Sequence, residues 1–114
     1  MSLDIHLTKE LYDNDDWDQE DLFCANVTHN LGEMADEAGI YMALWRPEEI
    51  GCVKADDIIT MLEEGIEKLV DNPTDYEKFN PENGWGTYEG LVKFAAKTLE
   101  ACKKYPDACL YSCR

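Results

Sequence analysis

Apolar residues recur along this chain with two different periods, and the change from one to the other marks its elements. Leu3-Asp4-Ile5-His6-Leu7-Thr8 alternates apolar and polar positions, the period of a half-buried strand. Further on the spacing lengthens to that of helices. Val27, Leu31, Met34, Ala35 and Ala38 form one stripe, with Asn26 as the expected N-cap and Gly39 as the expected C-terminal cap residue. The stretch from Tyr41 to Trp45 fits a further turn before Arg46-Pro47. Ala55, Ile58, Ile59, Leu62, Ile66 and Leu69 line a second helix over about residues 54–71, stopped by Asn72-Pro73. A short turn over residues 76–79 packs on the core. Leu91, Val92, Ala95, Leu99 and Cys102 give the last helix, which starts after Thr87 as N-cap and ends at Pro106. Residues 108–114 read as a second strand with Leu110 toward the core. Neither strand is stable alone, so the two ends of the chain are expected to pair. The expectation is an α+β fold: a compact single domain over residues 1–114, with three main helices packed with a small sheet formed by the N- and C-terminal strands.

Charge narrows the partners. The 114 residues carry 25 acids against 10 basic residues, a net charge of −15. Such a field repels nucleic acid and anionic membrane, and it suits a basic protein partner or simple solubility. Residues 10–21 hold seven acids, among them Asp13, Asp15, Asp16 and Asp18. They do not make an EF-hand calcium loop: counted from Asp13, position 6 is Asp18 rather than glycine, and counted from Asp16, position 12 is Val27 rather than glutamate. A solvated acidic loop is expected, with a partner-docking surface as the alternative.

The five cysteines, at 24, 52, 102, 109 and 113, include no Cys-x-x-Cys pair, and His6 and His29 lie far from metal-ligand spacing. On one strand Cys109 and Cys113 sit roughly 13 Å apart, too far to bridge. Buried small apolar roles are expected for the cysteines, with no metal and no cofactor. No apolar run approaches the roughly 18 residues that cross a bilayer, and the opening Met1-Ser2-Leu3-Asp4 lacks the regions of a signal peptide. A cytoplasmic protein is the expectation.

Three segments offer chemistry. The first is Asn80-Pro-Glu-Asn-Gly-Trp-Gly-Thr-Tyr-Glu-Gly90. Gly84 and Gly86 free the backbone around Trp85, and the segment ends where a helix begins. The N–H groups at Tyr88 and Glu89 would meet an anion there, Asn83 would give a polar edge, and Trp85 would stack on a planar ring. The competing reading makes Trp85 a core plug that pins the loop. The second is His29-Asn30. On an ideal helix centred on Val27, Asn30 lies roughly 60° and His29 roughly 160° from the buried face, so Asn30 borders the core, where it could line a cleft, and His29 faces solvent or another segment. The third is Trp45-Arg46-Pro47, where Arg46 would grip an anionic group and Trp45 would stack. Its bland alternative is a salt bridge to one of many carboxylates. Arg46 and Arg114 are the two arginines of the chain.

At these residues the chain resembles a family of small, largely uncharacterised proteins of bacteria and their phages. Three blocks carry the resemblance: Asn26-Val-Thr-His-Asn-Leu-Gly-Glu-Met-Ala35, Ala38-Gly-Ile-Tyr-Met-Ala-Leu-Trp-Arg-Pro47 and Asn80-Pro-Glu-Asn-Gly-Trp-Gly-Thr-Tyr88. The opening strand and the closing segment from Tyr105-Pro-Asp-Ala108 to Ser-Cys-Arg114 match as well. The acidic insertion over residues 13–21 departs from the pattern, as does Cys113, where the family tends to have a hydroxyl residue. The resemblance implies a bacterial or phage setting, hence the cytoplasm of a bacterial host cell, and supplies no activity. A counter-defence role follows only by association with that setting and size.

The leading expectation is a non-enzymatic binding protein that sequesters a small anionic, ring-containing ligand such as a nucleotide-derived immune signal. Its site would be drawn from His29, Asn30, Trp45, Arg46, Asn83, Trp85, Tyr88 and Glu89, with sharing across a homo-oligomer interface compatible with so small a domain. The alternative is an acidic protein–protein inhibitor, in one form a nucleic-acid mimic, of a basic host defence protein. A third class is a small nucleotide-processing enzyme with His29 as acid or base.

Overall fold

The computed structural model describes residues 2–13, 16–80, 84 and 86–114, without the side chains of residues 10–13 and 16–21. Three strands and five α-helices follow in the order β1 (Ser2–Asp13), β2 (Asp16–Thr28), α1 (Gly32–Glu37), α2 (Tyr41–Trp45), α3 (Ile59–Asp71), α4 (Pro73–Glu77), α5 (Tyr88–Lys104) and β3 (Cys109–Cys113). Short 3-10 turns precede α1 at His29–Leu31 and α3 at Ala55–Ile58, and another at Pro47–Ile50 follows α2. The fold is α+β, with an antiparallel sheet of order β2-β1-β3.

The opening alternation is realised as expected: Leu3, Ile5 and Leu7 are fully buried on one face of β1. β1 is the central strand, with Asp4 to Thr8 facing Cys113 to Cys109. Leu110 is buried, as its position in the pattern required. The edge of β3 away from β1 is partly covered too. The Leu110 amide donates to the Val53 carbonyl, and the Ala55 and Asp56 amides donate to the carbonyls of Ala108 and Pro106.

The sheet holds one strand more than the periodicity shows. Residues 10–13 and 16–21 are not a loop but two sides of a ribbon, with Tyr12 across from Trp17 and Asp13 across from Asp16. β3 ends across from Thr8, so beyond that point β1 and β2 continue as a two-stranded arm. Its acids disguise it, because acids are poor strand formers; Leu11, Tyr12 and Trp17 are the strand-forming residues among them. The register slips between Leu7 and Thr8: Leu7 faces Phe23 and Thr8 faces Asp21, which leaves Leu22 as the extra residue of a bulge.

The same hidden strand moves the start of the first helix. Asn26 is not an N-cap. It lies in β2 across from Asp4, and its side-chain amide donates to Asp4 Oδ1 at 2.6 Å and to Ser2 Oγ at 2.9 Å. The cap is Thr28, whose hydroxyl accepts from the Asn30 amide. The stripe itself holds, since Val27, Leu31, Met34, Ala35 and Ala38 are all buried, but Val27 reaches the core from a strand. Gly39 ends the helix with φ +82°. The second and last helices fall where the spacing put them, and Thr87 caps α5 by accepting from the Gly90 amide at 3.0 Å.

Two glycines fix how close the layers approach. A Cβ on Gly65, in the middle of α3, would lie 2.0 Å from Ile40 Cγ2, so α3 reaches the turn before α2 only because that position is bare. Gly86 has φ +102°, and a Cβ there would meet Thr28 Cγ2 at 2.7 Å. The loop before α5 therefore lies against the start of the first helical turn.

Candidate functional site

The clearest convergence of chemistry lies where α2 ends. The helix is five residues long and stops at Arg46-Pro47, which leaves its last carbonyls in need of donors. The far end of β3 supplies them: Ser112 Oγ donates to the Leu44 carbonyl at 2.7 Å, and Arg114 Nη1 donates to the Trp45 carbonyl at 2.7 Å. Arg114 is thereby drawn to the residue next to Arg46. A cleft of about 500 Å³ opens here, lined by His29, Gly32, Glu33, Tyr41, Trp45, Arg46 and Arg114.

The aromatic pair inside it is ordered. Trp45 is 2% exposed, and Tyr41 stacks on it with ring centroids 5.3 Å apart and planes 14° from parallel. The indole N–H donates to His29 Nδ1 at 2.9 Å. A buried indole needs such an acceptor, and the bond assigns the imidazole proton to Nε2 in the neutral ring. Tyr41 is half-buried and closes over the indole, so the ring face offered to the cleft is that of Tyr41 more than Trp45.

Both arginines are tethered. Arg46 Nε donates to the Tyr41 hydroxyl at 3.3 Å, and Arg46 Nη1 meets Glu49 Oε2 at 2.9 Å. The Tyr41 hydroxyl first, and Glu49 after it, hold the guanidinium above even its usual range. Arg114 Nη1 pairs with Glu48 Oε1 at 2.5 Å, a bond that lowers the Glu48 carboxyl below its ordinary value. Both ion pairs are exposed, with about two-fifths of each arginine side chain open to solvent. Exposed pairs of this kind contribute at most about 1 kcal/mol, so an incoming anion can compete for either guanidinium.

No family model, curated protein or solved structure matches this chain.

The geometry sorts the residues singled out from sequence. His29, Trp45 and Arg46 share the cleft. His29 meets another segment, half-buried against the indole of Trp45, whereas Asn30 is exposed and does not line the cleft. The placement of Asn30 fails because Val27 belongs to a strand and the first turn is 3-10, so angles counted from Val27 have no common axis. Arg46 also makes the carboxylate pair of its bland reading, and nonetheless lines the cleft.

The start of α5 is already occupied by the protein's own groups. The Tyr88 amide donates to Asn80 Oδ1 at 2.8 Å, which removes it as a free anion donor. The Tyr88 ring is held from the other side, its hydroxyl donating to the Leu69 carbonyl at 2.5 Å. Glu89 is exposed on the first turn. Asn83 and Trp85 lie outside the described residues. Tyr41 and Arg114 complete the cleft and were missed. Tyr41 stands four residues before Trp45, the spacing that puts two side chains on one helix face, and that signal was legible. The approach of Arg114 depends on sheet pairing and was not.

Among the described residues no cluster of histidine, cysteine or acidic side chains has the geometry to hold a metal ion. Cys24, Cys52, Cys102 and Cys113 are free thiols. Cys52 and Cys102 are buried as expected, whereas Cys24 and Cys113 are exposed on the outer face of the sheet. Among the described residues no helix is long and apolar enough to cross a membrane.

Proposed function

We propose that this is a non-enzymatic binding protein that holds a small anionic, ring-containing ligand in the Tyr41–Arg46–Arg114 cleft. The observation that carries the reading is the convergence of both arginines of the chain on one cleft beside an aromatic stack. Guanidinium groups match carboxylate and phosphate geometry in a way that ammonium groups do not, and a ring beside them supports a planar ligand. In the bacterial or phage setting implied by the sequence blocks, a nucleotide-derived immune signal fits this chemistry, and its capture would serve counter-defence in the host cytoplasm. The net charge of −15 opposes such a ligand at long range, but screening over about 8 Å leaves the nearby arginines dominant. His29 enters as a positioning residue for Trp45, because its Nδ1 is engaged by the indole.

The test is mass spectrometry of small molecules released from purified protein. A ring-bearing anion recovered intact, and lost in Arg46→Ala and Arg114→Gln proteins that keep the native fold, supports the reading. Turnover of that molecule abolished by His29→Ala points instead to an enzyme. Finding no released molecule after growth with an active defence system removes the sequestering role for that system.

A second reading, an acidic inhibitor of a basic host protein, is favoured by the arm. Residues 10–13 and 16–20 extend as paired strands beyond β3 rather than as a loop, which presents the acids of this stretch on a defined ribbon. Neutralising Asp13, Asp15, Asp16 and Asp18 should abolish activity if the arm is the docking element and leave ligand capture intact if the cleft is the site.

A further inference from the structure

In a chain with only 10 basic residues, three lysines from three distant segments line one cleft. Lys9 comes from β1, Lys54 from the segment before α3, and Lys104 from the last turn of α5. The cleft measures about 480 Å³ and is walled by Leu22 and Tyr105, with Thr8 among its lining residues. It shares no lining residue with the arginine cleft.

The site is built by specific features of the fold. The bulge at Leu7/Thr8 sets Leu22 apart from the regular ladder. Lys54 is held by a bridge to Cys109, and its backbone amide donates to Asp57 Oδ2 at 3.0 Å. Lys104 lies over the Tyr105 ring, 5.3 Å from its centroid. A cation at the end of α5 is accounted for by the helix carbonyls, but Lys9 and Lys54 come from a strand and a loop. Among the described residues none of the three lysines forms an ion pair, although Asp107 also lines the cleft.

A second, independent observation points to the same place. Thr8 is 3% exposed, and among the described residues its Oγ1 is the one buried side-chain polar atom without a hydrogen-bond partner. Leaving a buried hydroxyl unpaired costs about 1–3 kcal/mol, and valine would fill the same volume without that cost. The hydroxyl gains a partner if a group with spare acceptor oxygens is seated in the cleft.

We propose that this cleft is a second anion site, which takes the phosphoryl group of a small phosphomonoester. Three ammonium groups are compact point charges that suit a phosphoryl group with oxygens on several sides. Leu22 and the Tyr105 ring take the apolar remainder of the ligand. The inference does not rest on the arginine cleft, and its test uses other residues.

The experiment titrates 15N-labelled full-length protein at low ionic strength with phenyl phosphate, with inorganic phosphate and with citrate. Phenyl phosphate should shift the amides of residues 8–9, 53–55, 105 and 107–109 saturably, and bind more tightly than the other two. Lys54→Gln and Lys104→Gln should each weaken that binding about tenfold, while Lys68→Gln leaves it unchanged. Thr8→Val should raise the melting temperature and weaken phenyl phosphate several-fold. Shifts that never saturate, equal loss in Lys68→Gln, or citrate binding as tightly as phenyl phosphate would each overturn the proposal. So would a Thr8→Val protein less stable than the parent, since the hydroxyl would then be satisfied within the fold.

Discussion

Replacing Gly65 by alanine should destabilise this protein, against the usual rule for helices. In the interior of an exposed helix, Gly→Ala stabilises by about 1 kcal/mol. Gly65 is buried in the middle of α3, and the added Cβ would sit 2.0 Å from Ile40 Cγ2 and 3.1 Å from the Ala38 carbonyl oxygen, where ordinary contact begins at 3.4 Å. Ile40 is fully buried and has no open side toward which to turn, so α3 itself must shift. Overpacking of this kind costs about 1–3 kcal/mol. A 2.0 Å approach belongs at the upper end of that range, about 2–3 kcal/mol; less about 1 kcal/mol of helix propensity, the net loss is about 1–2 kcal/mol, or a fall in Tm of roughly 4–8 °C for a chain of this size. Calorimetry of the two proteins measures it. Gly32→Ala is the control: its Cβ would meet only the Tyr41 ring at 3.5 Å, and its Tm should stay level or rise. A Gly65→Ala protein as stable as the parent would refute the close approach of α3 to Ile40. The same substitution reaches the site, because Ile40 directly precedes Tyr41 and a displaced Ile40 carries the aromatic stack with it. Ligand affinity in the arginine cleft should therefore fall together with Tm.

Glu48→Gln with Glu49→Gln frees both guanidiniums from their carboxylates and should raise affinity for the recovered anion several-fold by calorimetric titration; an unchanged or lower affinity speaks against the arginines as its ligands. Native alkylation at pH 8 should modify Cys24 and Cys113 first, because both are exposed. Cys102 should react only on unfolding, since burial pushes its thiol up to about 12, and mass mapping of the alkylated peptides decides it. Asp57 accepts the Lys54 and Val53 amides, and these bonds hold its carboxyl below its ordinary value. With the folded value depressed, its contribution to stability is complete above the unfolded pKa of about 3.9 and is lost as pH falls through the folded one. Asp57→Asn should lose less Tm than the parent between pH 5 and 2, and equal acid sensitivity in the two proteins would remove this role.

Most of the helical framework was legible because burial follows the periodicity residue by residue. Leu62 and Leu69 of α3, and Leu91, Ala95 and Cys102 of α5, are all buried where the spacing put them. The ends of the last helix were readable from Thr87 and Pro106 because caps and breakers act locally. What escaped was long-range. Acidic residues mask the propensity of Leu11, Tyr12 and Trp17, and the strand they belong to is stabilised by its register with β1. That one omission displaced the N-cap from Thr28 to Asn26 and placed the exposed Asn30 at the border of the core. The cleft suffered in the same way. Trp45 and Arg46 are neighbours in sequence, but Arg114 arrives only through β3, and the Tyr88 amide is closed by Asn80 from across the loop. Propensity reads bonds between near neighbours and is blind to those made by folding back.

The position of β1 at the centre of the sheet sets the order in which this protein can be completed. Its pairing with β2 involves residues close in sequence and can form early in synthesis, as local contacts do. Its other edge stays unpaired until Cys109–Cys113, far downstream in sequence, has been made, and an open strand edge is prone to mispairing in that interval. The same closing segment delivers Ser112 and Arg114 to the end of α2. The anion binding proposed for the arginine cleft would thus become possible only once the sheet has closed, so that such binding, if found, would report the docking of β3.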